Sequence, residues 1–222
     1  MHIGPNIVKD GLVLYLDAAN KKSYPGSGTN WADLSGNGND GTLTNGVAFD
    51  AYDGKSISVD GLNDYILLND SITLGINTSI SFWGSSTETD TVSRYLRLLD
   101  NTSGTAYFEF EYYNRILTRT DIDTSFFFCT NLNPAPSLNN EITNITFCFE
   151  ADTSTSIYIN GVKSTYNNGS AIIGELTFNA IMRSRSSYNP GGKIACFQAY
   201  NRALSESEVL QNYNALKNRY NI

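Results

Sequence analysis

The sequence predicts an all-β antiparallel sandwich closed by one C-terminal helix. Short apolar, β-branched and aromatic runs recur along the 222-residue chain, separated by clusters of Gly, Asn, Asp and Pro. Such spacing of strands and turns is typical of a sandwich. The composition does not change along the chain, so we expect one domain over residues 1–222. The expected strands are 12–16, 47–49, 56–59, 65–68, 80–83, 95–99, 106–113, 125–129, 142–149, 156–159, 176–181 and 193–200.

A tight hairpin follows one of these runs. Ile157 and Ile159 lie two residues apart, so they share one face of a strand. Asn160 and Gly161 come next, and both tolerate the positive φ that a two-residue hairpin turn requires. The pattern therefore predicts a hairpin whose first strand buries both isoleucines.

The last segment carries the signals of a helix. Ser205 is a favourable N-cap, and Glu208 three residues later completes a capping box. Apolar residues then recur at helical spacing, which predicts a helix over about 205–219 that packs on a sheet. These residues are Val209, Leu210, Tyr213, Leu216 and Tyr220.

Charge excludes some partners. The net charge is −7 and the pI is about 4.6, so nucleic acid and anionic membranes are both disfavoured. The sequence has no apolar stretch of roughly 20 residues that could span a bilayer. The first ten residues lack the apolar core of a secretion signal, so we expect assembly in a host cytoplasm.

The three cysteines lie in apolar runs. We expect Cys129, Cys148 and Cys196 to be free, buried thiols, because an odd number cannot pair fully within one chain. A bridge between Cys129 and Cys148 is the alternative.

Five landmarks occur in a fixed order along the chain. They are segments 11–17 with 31–41, then 60–66, 79–83, 157–162 and 197–209. Together they resemble concanavalin A-like (laminin G-like) domains, and the resemblance implies a jelly-roll sandwich. The opening, residues 4–12 followed by 24–26, is most similar to free-standing domains of tailed-phage structural proteins.

The resemblance implies a non-enzymatic virion structural protein at the virion surface. We expect a phage capsid decoration or cement protein whose partner is the major capsid protein. The symmetry of a shell allows it to be a homo-oligomer. The alternative is a glycan-binding adhesin of a phage tail fibre or a cell surface. A glycoside hydrolase is a weaker third hypothesis, because one fold hosts many functions.

Catalytic groups are sparse. His2 is the only histidine, so neither a Ser–His–Asp triad nor a His-ligated zinc site is expected. Glu109 and Glu111 share one strand face and could sit at the spacing that glycoside hydrolysis needs. They depart from the Glu-x-Asp-x-(x)-Glu pattern of hydrolases with this fold. We therefore expect no catalytic residues and a solvated strand face.

One loop gathers hard oxygen ligands of the kind that calcium prefers. Asp33, Asn37, Asn39 and Asp40 lie within eight residues of one another, which makes them calcium candidates. Asx-turns explain the same residues without a metal, and no other cofactor is expected.

Aromatic side chains in turn-rich stretches are candidates for stacking on sugar rings. Tyr24, Tyr166 and Tyr188 are the glycan-binding candidates. Trp31 and Trp83 are instead expected to anchor the core, because large rings bury much apolar area.

Overall fold

The computed structural model describes residues 5–52, 55–86, 95–100, 107–111, 115–119, 127–133, 141–150, 154–167, 175–183 and 191–220. Within these ranges the chain forms sixteen strands, one α-helix and one 3-10 helix. The elements are β1 Leu12–Asp17, β2 Asn30–Trp31, β3 Gly41–Thr44, β4 Ala48–Asp50, β5 Ser56–Val59, β6 Tyr65–Leu74, β7 Thr78–Ser86, β8 Tyr95–Asp100, β9 Tyr107–Glu111, β10 Arg115–Arg119, β11 Phe127–Asn133, β12 Thr143–Glu150, β13 Ser154–Ile159, β14 Val162–Asn167, β15 Leu176–Ile181, β16 Gly192–Tyr200, α1 Glu206–Leu216 and the 3-10 turn Lys217–Arg219.

The strands form two antiparallel layers. In the first layer the order is β14-β13-β12-β7-β16-β5-β4, and β1 pairs with the far half of β16. In the second layer the order is β2-β3-β6-β15-β8-β9-β10-β11. β11 also pairs with β14, which links the two layers along one edge. The predicted jelly-roll sandwich is confirmed.

The main core lies between the two layers. Its side chains come from alternate positions of the strands, as the pleat requires. Ile157 and Ile159 both point into this core, which confirms the predicted register, and the Asn160-Gly161 turn has φ values of 50° and 76°. Trp31 is fully buried here, so its predicted role as a core anchor is confirmed.

A second cluster lies on the outer face of the first layer, beneath the C-terminal helix. Trp83 points out of β7 and stacks on Tyr213 with ring centroids 5.6 Å apart. Tyr220 contacts the same indole at 4.9 Å. Val209 and Leu216 complete the buried face of the helix. The helix therefore covers the outer sheet face with a core of its own.

The capping box of the helix forms as predicted. The Ser205 side chain accepts from the Glu208 backbone N–H, and the Glu208 carboxylate accepts from Ser205 N–H at 2.9 Å. The prediction that Leu210 is buried is wrong, because its side chain is 46% exposed. Asn212 occupies the buried face instead, where it accepts from Val8 N–H at 2.8 Å and donates to the Tyr200 hydroxyl at 3.0 Å.

Two cysteines are buried free thiols. Cys148 and Cys196 are both unpaired, so the alternative bridge between Cys129 and Cys148 is wrong. Burial raises the pKa of the Cys148 thiol to about 11, so it stays protonated at neutral pH. The Cys129 side chain lies outside the described residues. None of the helices in the described ranges is both long enough and apolar enough to cross a membrane.

Candidate functional site

The loop between β2 and β3, expected as a calcium candidate, uses its carboxylates on its own backbone. Asp33 Oδ1 accepts from the backbone N–H groups of Tyr15 and Ser35, both at 2.9 Å. Asp33 Oδ2 accepts from the Ser35 hydroxyl at 2.6 Å and from Asn39 N–H at 3.1 Å. Both oxygens of Asp33 are therefore engaged in fixing the loop.

The other three calcium candidates also bond within this region. Asp40 Oδ1 accepts from Asp33 N–H at 2.8 Å. The side-chain amides of Asn37 and Asn39 donate to the Val13 carbonyl at 3.3 and 2.9 Å, which ties the loop to β1. In the described part of the chain, no three His, Cys, Asp or Glu side chains are grouped as a metal site. The Asx-turn interpretation accounts for the geometry, and calcium binding stays the untested alternative.

Two of the three glycan candidates named from the sequence, Tyr24 and Tyr166, use their hydroxyl groups within the fold. Tyr24 is only 4% exposed, donates its hydroxyl to the Gly28 carbonyl at 2.8 Å and packs on Phe49. Contrary to the expectation, Tyr24 has no open ring face for a sugar, because the ring fills the core. Tyr166 is half-buried and donates its hydroxyl to the Thr155 carbonyl.

Three further candidates lie outside the described side chains. Tyr188 belongs to a stretch that the structure does not describe. Glu109 and Glu111 lie in β9, where only the strand and its pairing with β8 and β10 are described.

An open pocket lies elsewhere, at a place that the sequence did not indicate. Its volume is about 500 Å³, within the range that holds small ligands. Three chain segments form it: the turn after β1, the turn between β4 and β5, and the 3-10 turn that follows α1. The lining residues are Ala19, Asn20, Lys21, Ala51, Tyr52, Lys55 and Arg219.

A buried carboxylate fixes two walls of this pocket. Asp17, at the end of β1, is fully buried and accepts from Arg219 Nη1 at 2.5 Å. The same Oδ2 accepts from the Tyr15 hydroxyl at 2.8 Å. Asp17 Oδ1 accepts from Ala19 N–H at 3.0 Å, which begins the turn that leads to Asn20. Asp17 therefore positions both the first turn and the guanidinium.

Burial disfavours the charged form of Arg219, but Asp17 outweighs it. The attraction of the Asp17 carboxylate and their hydrogen bond leave the pKa of the guanidinium above its ordinary value. Arg219 therefore stays positively charged at neutral pH. One-third of its side chain stays exposed at the pocket wall.

The turn between β4 and β5 presents the pocket's aromatic ring. Asp50 Oδ1 accepts from Tyr52 N–H at 2.9 Å, and Lys193 Nζ donates to Asp50 Oδ2 at 2.7 Å. The Lys193 hydrogen bond holds the pKa of Asp50 below its usual value. Lys55 N–H donates to the Tyr52 carbonyl at 2.8 Å, and Lys55 adopts a positive φ of 64°. Tyr52 is left 81% exposed on a turn that is fixed at both sides.

Whereas the whole protein is acidic, the charged lining residues of the pocket that the structure describes are all cationic. Three of its lining residues carry positive charge, and among the lining residues that the structure describes there is no carboxylate. No sequence pattern marks this site, because its three segments lie far apart in the chain. The one available signal was Tyr52, an aromatic residue in a short turn between two strands, and that signal is weak without the fold.

Known structures share this fold. The receptor-binding domain of botulinum neurotoxin type G aligns with a TM-score of 0.64 at 17% identity, over 92% of this chain and 51% of that chain. The serotype D ligand-binding domain in complex with N-acetylneuraminic acid aligns with a TM-score of 0.61 at 16% identity, over 93% and 51%. The Trypanosoma rangeli sialidase in complex with the inhibitor DANA aligns at 0.61 and 12%, over 96% and 35%.

These likenesses show the fold alone, and the chain spans about half the length of the neurotoxin domains. No curated protein has a significantly similar sequence. The profile of one family covers residues 60–210, from the end of β5 into the C-terminal helix. By that match and by its architecture, the chain belongs to the concanavalin A-like lectin/glucanases superfamily.

Proposed function

We propose that this protein is a non-enzymatic, lectin-like binding module that holds carbohydrate in the pocket around Tyr52. The observation that carries the proposal is an 81%-exposed aromatic ring at the wall of an open pocket of about 500 Å³. Exposed rings are apolar platforms that favour binding over solvation. Asn20, Lys21 and Lys55 line the same pocket and supply polar groups that can bond to sugar hydroxyls.

Two of the three similar structures support a binding role. Their names describe a receptor-binding and a ligand-binding domain, and one of them holds N-acetylneuraminic acid. The third is a sialidase, which is an enzyme. The superfamily shares this architecture with glucanases, so the chemistry of the pocket must decide between binding and hydrolysis.

The pocket favours binding without turnover. Glycoside hydrolysis uses two carboxyl groups roughly 5–9.5 Å apart, one on each side of the scissile bond. Among the pocket's described lining residues there is no Asp or Glu. Asp17 lies behind Arg219, buried and bonded to it. We expect incubation with oligosaccharides to release no product, and release of a reducing end would contradict the non-enzymatic role.

A glycan array tests the binding proposal. We expect the wild-type protein to bind a subset of glycans and the Tyr52→Ala variant to lose them, because the platform is removed. Leu62→Ala is the matched control, since Leu62 is 74% exposed at another turn. Equal binding by Tyr52→Ala and wild type would show that glycans do not bind in the pocket around Tyr52.

The display of this module on a phage virion, as a capsid decoration or cement protein, is the second part of the proposal. It is supported by the opening residues 4–12 and 24–26, which resemble free-standing domains of tailed-phage structural proteins. The partner would be the major capsid protein, and a homo-oligomer would match the symmetry of a shell. Mass spectrometry of purified particles tests this part, and particles that lack the protein would contradict it.

A further inference from the structure

Strand β1 has one side that no described strand covers. Among the strands that the structure describes, β1 pairs with β16 alone. In an antiparallel pair, alternate residues point their backbone N–H and C=O groups away from the partner strand. A row of such groups is a template on which a strand of another chain can pair. The side of β1 away from β16 therefore needs a cover.

The loop that follows β2 covers the middle of this side. Tyr15 N–H donates to Asp33 Oδ1 at 2.9 Å, and the Tyr15 carbonyl accepts from Leu34 N–H at 2.8 Å. Two residues further along β1, Asp17 N–H donates to the Ser23 hydroxyl oxygen at 3.1 Å. Both backbone groups of Tyr15 are therefore occupied from within the same chain.

The same loop covers the beginning of β1 with side chains. The Val13 carbonyl accepts from the Ser35 hydroxyl at 3.1 Å and from Asn39 Nδ2 at 2.9 Å. Asn37 Nδ2 donates to the Leu12 carbonyl at 3.1 Å and lies 3.3 Å from the Val13 carbonyl. We call residues 33–39 the edge cap, because their bonds follow β1 along its open side.

The sequence of β1 is of a kind that pairs readily with itself. Residues 12–16 are all apolar or aromatic, and Asp17 is the only charged residue of the strand. Short apolar segments with little charge and no Pro form strands between chains when their edges are free. Two copies of β1 related by a two-fold axis would present the same groups to each other. A second copy of this chain is therefore the partner that the edge of β1 fits.

We infer that the edge cap prevents β1 from pairing with β1 of a second copy. The cap makes one backbone–backbone bond to β1, from Leu34, and its other bonds come from side chains. Residues 33–39 themselves contain no strand, so the cap ends the sheet without extending it. This role goes beyond the proposed function and does not depend on a ligand at Tyr52.

Two exposed asparagines allow a test that leaves the core intact. In the double variant Asn37→Ala with Asn39→Ala, the cap loses its amide donors to the carbonyls of β1. We expect the Tyr15 amide hydrogen to exchange about tenfold faster than in wild type at low protein concentration. As the concentration rises, sedimentation should show species heavier than wild type. Exchange at Tyr15 should then slow again, because the second copy bonds to it.

Asn63→Ala with Asn69→Ala is the matched control. Both residues are exposed, and in the described part of the chain neither side chain donates to β1. We expect this control to keep the mass and the exchange rates of wild type. If the double variant of the cap does not fold, the single variants Asn37→Ala and Asn39→Ala replace it. Each should show the same changes to a smaller extent.

Three outcomes would overturn the inference. The first is a folded cap variant with the mass of wild type at every concentration, whatever its exchange rates. The second is a heavier species in which exchange at Tyr15 stays fast, because association would then use another surface. The third is equal association of the control variant, which would show that the cap residues have no particular role.

Discussion

Two polar regions of this molecule differ in what their functional groups bond to. The loop at residues 33–40 concentrates four Asp and Asn side chains, and the structure shows each of them bonded to the protein itself. The Tyr52 pocket gathers Lys21, Lys55 and the Tyr52 ring from separate turns and leaves them facing solvent. In the first region, a high density of polar residues in the sequence therefore indicates a rigid turn. In the second region, the candidate binding groups are far apart in the sequence and meet only in the folded chain.

The difference has a physical cause. Asx side chains bond to backbone N–H groups two residues ahead, so a cluster of them in one loop satisfies itself. Lys and Tyr side chains are longer and carry their polar atoms further from the backbone, so they can bind a ligand when the fold brings several together. The following predictions test this contrast.

The largest effect is expected at Asp33. Replacing Asp33 by Ala removes the acceptor of four hydrogen bonds and leaves the N–H groups of Tyr15 and Asn39 without it. We expect a loss of about 3 kcal/mol in the free energy of unfolding, measured by chemical denaturation. Glycan binding by the folded fraction should be unchanged. Asp70→Ala, at an exposed carboxylate in β6, is the control, and an equally small effect at both positions would contradict the role of the loop.

A smaller effect is expected at Asp17, where stability and binding meet. Asp17→Asn keeps the size of the side chain but removes the charge that pairs with Arg219. Breaking a buried ion pair on one side leaves the other charge poorly compensated, so we expect about 2 kcal/mol of destabilisation by chemical denaturation. Glycan binding in the pocket should also change, because Arg219 loses its anchor. A variant with normal stability and normal affinity would show that Asp17 does not position the pocket.

An ion pair between Arg202 and Glu208, at the start of the helix that leads to Arg219, makes the stability of the protein depend on pH. The Arg202 hydrogen bond, opposed by burial and helped by Ser205, lowers the pKa of Glu208 from 4.5 to about 2. A depressed folded-state pKa means that the contribution is complete above pH 4.5 and is lost as pH falls toward 2.

Because the pair is partly exposed, we expect about 1 kcal/mol over this window, measured by denaturation at pH 6 and pH 3. Glu208→Gln should reduce that pH dependence. An unaltered profile in the variant would contradict the ion pair as its source.

The smallest effect is expected from calcium. Since both oxygens of Asp33 and one of Asp40 already accept N–H or O–H groups, we expect no change in melting temperature when calcium is added to chelated protein. Heat of binding in calorimetry, lost in Asp40→Asn, would instead support the calcium hypothesis.

The sequence predicted the fold because its signals are local. Alternation at Ile157 and Ile159, the Asn160-Gly161 turn and the Ser205 capping box each depend on a few neighbouring residues, and all three are confirmed. Short edge elements such as β2 were not predicted, since two residues carry too little pattern. Leu210 was misplaced because the spacing alone did not show that polar Asn212 would take a buried position.

The candidate site could not be predicted in the same way. Its parts come from three places: the turn after β1, the turn between β4 and β5, and Arg219. Arg219 and the residue that positions it, Asp17, are separated by 202 positions in the chain. Tyr24 and Tyr52 both lie in turn-rich sequence, yet the first is buried and the second is exposed. Packing against Phe49 and a hydrogen bond from its hydroxyl to the Gly28 carbonyl hold Tyr24 in the core.

The long sequence separation between Asp17 and Arg219 also determines how ligands of the pocket can be detected. An unfolded chain does not hold these two residues together, so any molecule that fits the pocket binds the native state alone and shifts the unfolding equilibrium by mass action. At a concentration 100 times its dissociation constant such a compound raises native stability by about 2.7 kcal/mol. A rise in melting temperature across a compound library would therefore identify ligands without a label or an activity assay.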